Sequence, residues 1–336
     1  MKYDLTDNEL LKVCELISAN LGLHFPVERW AMLGRNLSLA AHEFGFQSTN
    51  GFIPWLLTSE LNKNQINILA SYLTVTETYF WREPQVFTAL TDHILPELIR
   101  SKKKGDKSIR IWSAGCSTGE EAYSLAITLH KTIPKIKDWN ISILATDINP
   151  KALEKARAGT YGPWSFRNTP DWIRTGYFHH HEDRKYEIIP EVKKIVTFSC
   201  HNLTGDDIFS DIENKMDIIF CRNVLMYFTP GWINRISKNL YHSLSEYGWL
   251  VVASSELSSQ VFPQFTAVNF PGAVLYTKAK NRVEKSHFNI STPSIIQPLQ
   301  PSSTLQPVHP ITPSPHLPIT PSPLLPVSQS TIIQPQ

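Results

Sequence analysis

The chain has 336 residues, 42% of them hydrophobic, which is enough for two ordinary domains with real cores. Its formal net charge of +2 argues against a nucleic-acid partner, since such proteins carry a clustered basic face. The opening MKYDLTDNEL has acidic residues and no apolar core, so no signal peptide is expected. No run reaches the ~18 apolar residues that membrane insertion needs. Cys14, Cys116, Cys200 and Cys221 form no CxxC pair, and no His/Cys cluster has zinc-ligand spacing. A reduced, cytoplasmic, metal-free monomer is the expectation.

Residues 1–90 read as an N-terminal helical domain. Thr6 and Glu9 make a T-x-x-E capping box ahead of Leu10, Val13, Leu16 and Ile17 at helical spacing. Trp30, Leu33, Leu37, Ala40, Ala41 and Phe44 repeat that spacing over 27–46, and 52–57 and 66–73 predict shorter helices. The basic run Arg100–Lys107 reads as a solvated linker.

Residues 91–282 read as an α/β domain. SIRIWSAG (108–115) predicts a buried strand and 117–130 a helix. Strands follow at 141–148, 195–202, 216–224 and 249–254, with helices at 150–157 and 232–244. Residues 265–278 predict two last strands turning at Pro271-Gly272. Alternating strands and helices imply a mostly parallel sheet covered on both faces. The alternation breaks at 161–194, rich in aromatic residues and histidine, which reads as an inserted β-subdomain. Within it, His179, His180 and His181 are consecutive, so their side chains diverge and predict a polar turn rather than a metal site. The tail, 283–336, has no charged residue after Lys285 and holds half of the 24 prolines, including HPITPSPHLPITPSPLLP. It is expected to be disordered, with polyproline II character.

The chemistry-bearing positions fall where strands end. Small residues follow the first strand in IWSAGCSTGEE (111–121), where a ligand can approach the backbone beyond the carboxyl ends of a sheet. G-x-G-x-x-G is absent, which places a NAD enzyme third among the readings. Ser117-Thr-Gly-Glu120 is also a capping box, so Glu120 either caps the helix or binds an ammonium group. Asp147 ends the second parallel strand, where a carboxylate accepts hydrogen bonds from ribose hydroxyls; the alternative is a helix N-cap. Arg222 and Asn223 interrupt an apolar run and need partners, either a ligand or a buried carboxylate. TVTETYFWRE (74–83) holds Thr76, Thr78 and Arg82, which are candidates for a charged ligand or the start of a capped helix.

Four blocks, TETYFWREPQVF, RIWSAGCSTGEEAYSLAI, ILATDINPKALEKARAGTY and DIIFCRNVLMYF, together resemble the CheR family of chemoreceptor glutamate methyltransferases over about residues 5–280. The resemblance implies a helical domain and a Rossmann-like α/β domain for S-adenosylmethionine (SAM), with a small inserted β-subdomain. It implies methyl transfer from SAM to glutamate carboxylates on the cytoplasmic domain of methyl-accepting chemoreceptors. SAM contacts are then expected from Thr76, Thr78, Arg82, Glu120, Asp147, Asn202, Leu203, Arg222 and Asn223, with Arg82 orienting the incoming carboxylate or anchoring the cofactor, and Tyr227 either lining the reacting centre or belonging to the core. Some family members hold a C-terminal tethering peptide of the receptor through a glycine-containing loop. The matching stretch here, Phe178–Tyr186, has no glycine, so no tethering is expected. The competing readings are a SAM-dependent methyltransferase of another substrate class and a SAM-binding signalling module without transfer.

Overall fold

The computed structural model describes residues 5–103, 105–205 and 207–278, all within one compact unit. The proline-rich tail lies outside them.

Four helices come first: α1 (Asp7–Leu21), α2 (Trp30–Glu43), α3 (Thr49–Thr58) and α4 (Lys63–Leu73). The Thr6/Glu9 capping box forms, with Glu9 N–H donating to Thr6 Oγ1 at 3.3 Å and Thr6 N–H to the Glu9 carboxylate at 2.8 Å. These helices bury Leu10, Val13, Ile17, Leu33, Leu37 and Phe52 in a core of their own, which closes at Leu73. Phe80, Val86 and Phe87 belong instead to the core under the sheet. The stretch leading into α5 (Pro84–Ala89) therefore packs with the α/β part.

One π turn, Leu90–Ile94, joins α5 to α6 (Leu95–Lys102). The basic run is thus helical as far as Lys102 and, that residue apart, its described residues are exposed as expected. Lys102 Nζ lies 2.6 Å from both Asp217 carboxylate oxygens, and Asp217 also accepts from Arg110 N–H at 2.9 Å. A buried carboxylate on β7 draws the lysine in, leaving its side chain 27% exposed.

The remaining elements are β1 (Ser108–Ala114), α7 (Glu120–Thr132), β2 (Asn140–Asp147), α8 (Pro150–Ala158), β3 (Thr160–Tyr161), α9 (Asp171–Tyr177), β4 (Phe178–His180), β5 (Tyr186–Ile188) and α10 (Pro190–Lys193). They continue with β6 (Val196–Cys200), α11 (Asp207–Ile212), β7 (Met216–Phe220), α12 (Pro230–Ser243), β8 (Leu244–Val251), β9 (Thr266–Phe270) and β10 (Ala273–Thr277). The main sheet has seven strands in the order β6-β2-β1-β7-β8-β10-β9. The first five are parallel and the β9–β10 hairpin is antiparallel, turning at Gly272 with φ 74°. Period-two alternation loads both faces: Ile109, Ile111, Ile218 and Trp249 enter one core, and Trp112, Ala114, Ile219 and Leu250 the other.

Three expectations need correction. The helix expected from Ser117 starts at Glu120, because Ser117 (φ 50°) and Gly119 (φ 93°) are left-handed. A Cβ on Gly119 would stand 2.9 Å from Ala156 Cβ, so α8 packs where only glycine fits. The strand expected to reach Val224 stops at Phe220, which frees Arg222 and Asn223 to leave the sheet. The histidine run is not simply a turn. His179 and His180 are exposed residues of β4, paired with β5 in a three-stranded sheet ordered β3-β5-β4, and only His181 begins the turn. Among the described residues no helix is long and apolar enough to cross a membrane.

Candidate active site

The strand order reverses between β1 and β7, and a cavity of about 410 Å³ opens beyond the carboxyl ends of β1, β2, β6 and β7. That is the place open α/β sheets reserve for ligands, and the size suits a small molecule. The helical layer supplies the opposite wall through Leu21, Phe25, Arg29 and Met32. It is fastened there by His24 N–H donating to the Tyr227 carbonyl at 2.7 Å.

Thr78, Arg82, Asp147, Asn202, Leu203, Arg222, Asn223 and Tyr227 all line this cavity. Asp147 is not the N-cap of α8. Asn149 takes that role, its Oδ1 accepting from Ala152 N–H at 3.0 Å. The Asp147 carboxylate accepts from Ser117 N–H and Asn149 N–H, each at 2.8 Å, and keeps lone pairs toward the cavity. Burial pushes its carboxyl above the ordinary aspartate range against the pull of these N–H donors.

Two expected residues do not join. Thr76 is exposed and outside the cavity lining. Glu120 is 1% exposed and neither caps α7 nor reaches the cavity. Its carboxylate accepts from Thr118 Oγ1 at 2.6 Å and Ser165 Oγ at 3.0 Å, bracing the inserted segment. The neighbouring Glu121 takes the cavity wall instead, accepting from Ser113 Oγ at 2.8 Å and from Arg222 Nη1 at 3.2 Å. Burial pushes the Glu121 carboxyl up, opposed by Arg222. Cys116 also lines the cavity, but burial, with Asp147 and Glu121 adding to it, pushes its thiol well up, so it offers no thiolate.

Arg222, with its side chain 2% exposed, is a clamp. It pairs with Glu121 and with Glu83 Oε2 at 2.8 Å, and donates to the Arg82 carbonyl at 2.7 Å. Burial pushes the Glu83 carboxyl up, but Arg222 and Ser254 outweigh it and hold it low. Glu256 anchors the next loop by accepting from Asn223, Val224 and Leu225 N–H at 2.7, 2.9 and 2.9 Å. Left-handed backbone collects here: Trp81 (φ 62°), Glu83 (57°), Ser117 (50°) and Asn223 (58°). Such conformations persist only where the surroundings over-determine them, and they cluster at ligand clamps. Gly115 (φ 76°) closes the wall, since a Cβ there would meet Val224 Cγ2 at 2.4 Å.

Sequence reasoning missed Glu121, Glu83 and Glu256. The doubled glutamate offered a signal for the first. For the other two, facing depends on loops that no periodicity governs.

The reversed parallel sheet with an antiparallel hairpin at its edge, and a mostly apolar cavity with a few convergent polar groups at the reversal, define a Rossmann-like α/β domain of the SAM-dependent methyltransferase class. The family profile described as CheR methyltransferase, SAM binding domain, matches residues 76–273. A chemotaxis protein methyltransferase of Borreliella burgdorferi is 31% identical over 258 residues, covering 76% of this chain and 90% of the relative. One from Vibrio parahaemolyticus is 34% identical over 276 residues, covering 81% and 97%. A probable chemotaxis protein methyltransferase of Rhizobium etli is 38% identical over 191 residues, covering 56% and 70%. The chain belongs to the CheR methyltransferase family, and its cofactor is SAM.

The residues present fit that cofactor. Ser117 Oγ, Arg222 Nε and Asn223 Oδ1 are buried without a hydrogen-bond partner among the described residues, all in residues that line the cavity. Buried polar atoms in native proteins find partners, and a polar ligand would supply them.

Proposed function

We propose that this chain transfers methyl groups from SAM to glutamate carboxylates on the cytoplasmic domain of methyl-accepting chemoreceptors, giving glutamyl methyl esters in sensory adaptation. The observation carrying this reading is Arg82. Its guanidinium lines the cavity and, among the described residues, makes no hydrogen bond or ion pair; the Tyr79 ring lies 5.7 Å from Cζ, and the Glu121 carboxylate feels its charge across the cavity wall. A planar fork of donors left unfilled at a cofactor cavity suits a carboxylate.

Asp147 would hold the ribose hydroxyls and Glu121 the amino group of the cofactor. Asn202 and Leu203, just past β6, would flank the adenine. When bound, SAM supplies a methyl group already activated by its sulfonium. A glutamate is ionised at neutral pH, so the chain need supply no general base. Its residues have to bind and orient: Arg82 aligns the incoming carboxylate, Tyr227 lines the approach, and Leu21, Phe25 and Leu203 keep water out.

Incubating the full chain with labelled SAM and receptor cytoplasmic domains should give base-labile label, released as methanol and mapped to glutamates. Base-stable label would sink the ester assignment. Within the site, Glu121→Gln should weaken binding of S-adenosylhomocysteine in calorimetry by about tenfold or more, the scale of one charged hydrogen bond. Glu120→Gln should lower the melting temperature and leave that affinity near wild type. The reverse pattern would return the amino-group role to Glu120.

We also propose that the chain does not use a receptor tethering peptide. Arg184 (φ 59°) holds the left-handed position in the β4–β5 turn, closed by His181 N–H donating to the Lys185 carbonyl at 2.8 Å. A receptor C-terminal peptide should give no saturable heat in calorimetry; a clear isotherm would refute this.

A further inference from the structure

We propose that Arg167, in the inserted segment outside the cavity, is a positioning residue for methyl transfer that acts through Tyr79 on Arg82. The inference rests on Arg82 serving the substrate carboxylate.

The backbone around Arg82 is held from several sides. Phe80 N–H donates to the Ser165 carbonyl at 2.9 Å, Thr169 Oγ1 to the Phe80 carbonyl at 2.9 Å, and Trp81 N–H to Ser124 Oγ at 3.1 Å. The left-handed residues Trp81 and Glu83 flank it. The Arg82 side chain has no such hydrogen bonds: its guanidinium rests near the Tyr79 ring and is drawn by the charge of Glu121. That ring is in turn gripped from outside. Arg167 Cζ lies 4.1 Å from the Tyr79 centroid and 4.6 Å from that of Trp164. Its Nη1 donates to the Thr78 carbonyl at 3.3 Å and the Trp164 carbonyl at 2.9 Å, and its Nη2 pairs with Glu77. The Arg167 side chain is 19% exposed, while its partners Glu77 and Trp164 are open to solvent.

Arg167 therefore holds the two residues that precede Tyr79, through Glu77 and the Thr78 carbonyl, and stacks on Tyr79 itself. Only a planar cation can stack on two rings while its nitrogens reach two carbonyls and a carboxylate. Glu77 offsets its charge. The result is a chain of contacts from Trp164, 69% exposed at the surface, to the guanidinium in the cavity.

The test is a double-mutant cycle on the full chain, with labelled SAM and receptor cytoplasmic domain. Arg167→Ala should lower kcat by about tenfold, the scale of a small misplacement. The Kd for S-adenosylhomocysteine should stay within about twofold of wild type, and Arg167→Lys should not restore the rate. Within the Arg82→Ala background, adding Arg167→Ala should cost nothing further, because a residue acting through another has no separate effect. Tyr79→Leu, which keeps the Arg167 bonds to the Thr78 and Trp164 carbonyls, should show the same loss and the same coupling, and it serves if Arg167→Ala folds poorly. Equal losses in both backgrounds, or wild-type turnover in Arg167→Ala while Arg82→Ala is impaired, would overturn the inference alone. Full turnover in Arg82→Ala would remove the Arg82 reading beneath it.

Discussion

Replacing Arg82 with alanine is expected to lower kcat/KM for methyl transfer by about 10²–10³-fold, the usual cost of removing one preorganised charge-stabilising group. Arg82 sits at the cavity wall with its donors unfilled by any described residue, while its backbone carbonyl is held by Arg222. The side chain can thus be removed without breaking the Arg222–Glu83–Glu121 clamp. Cofactor affinity, measured with S-adenosylhomocysteine, should change far less than turnover. Near-wild-type turnover would reject the assignment of Arg82 to the substrate. A collapse of affinity with turnover at saturation unchanged would move it to the cofactor.

Asp147→Ala is expected to weaken S-adenosylhomocysteine binding by at least about 100-fold, since hydrogen bonds to a charged acceptor contribute about 1.5–3 kcal/mol each. The carboxylate also organises its surroundings. Ser117 N–H and Asn149 N–H both donate to it, and the first of these holds a left-handed residue at the mouth of β1. A second consequence is a pH dependence. Burial raises the Asp147 pKa, and ribose hydroxyls donate to the ionised form, so bound cofactor would favour deprotonation. Affinity should be full above the raised pKa and fall as pH drops through it, a loss beginning higher than the ordinary aspartate value of 3.8. Calorimetry across pH checks both points, and unchanged affinity in Asp147→Ala would remove this residue from the site.

Local pattern determined the elements themselves. The Thr6/Glu9 box, the helical spacing from Leu10, the buried run from Ile109 and the Pro271-Gly272 turn are decided within a few residues, and all appear in the structure. The placement of Asp147 was legible for the same reason, because a carboxylate closing a parallel strand has only the crevice beyond it to face. Tertiary structure decided which side chains turn inward once a strand ends. Glu120 and Glu121 are adjacent on a helix that rotates about 100° per residue, so the residue at which α7 begins selects which one meets the cavity. That start is set by α8 crowding Gly119 and by Asp147 drawing in Ser117, both distant in sequence. Arg222 and Asn223 were legible as polar residues out of place, but their partners Glu83, Glu121 and Glu256 lie 139, 101 and 33 positions away. Only the assembled sheet and its loops bring those charges together.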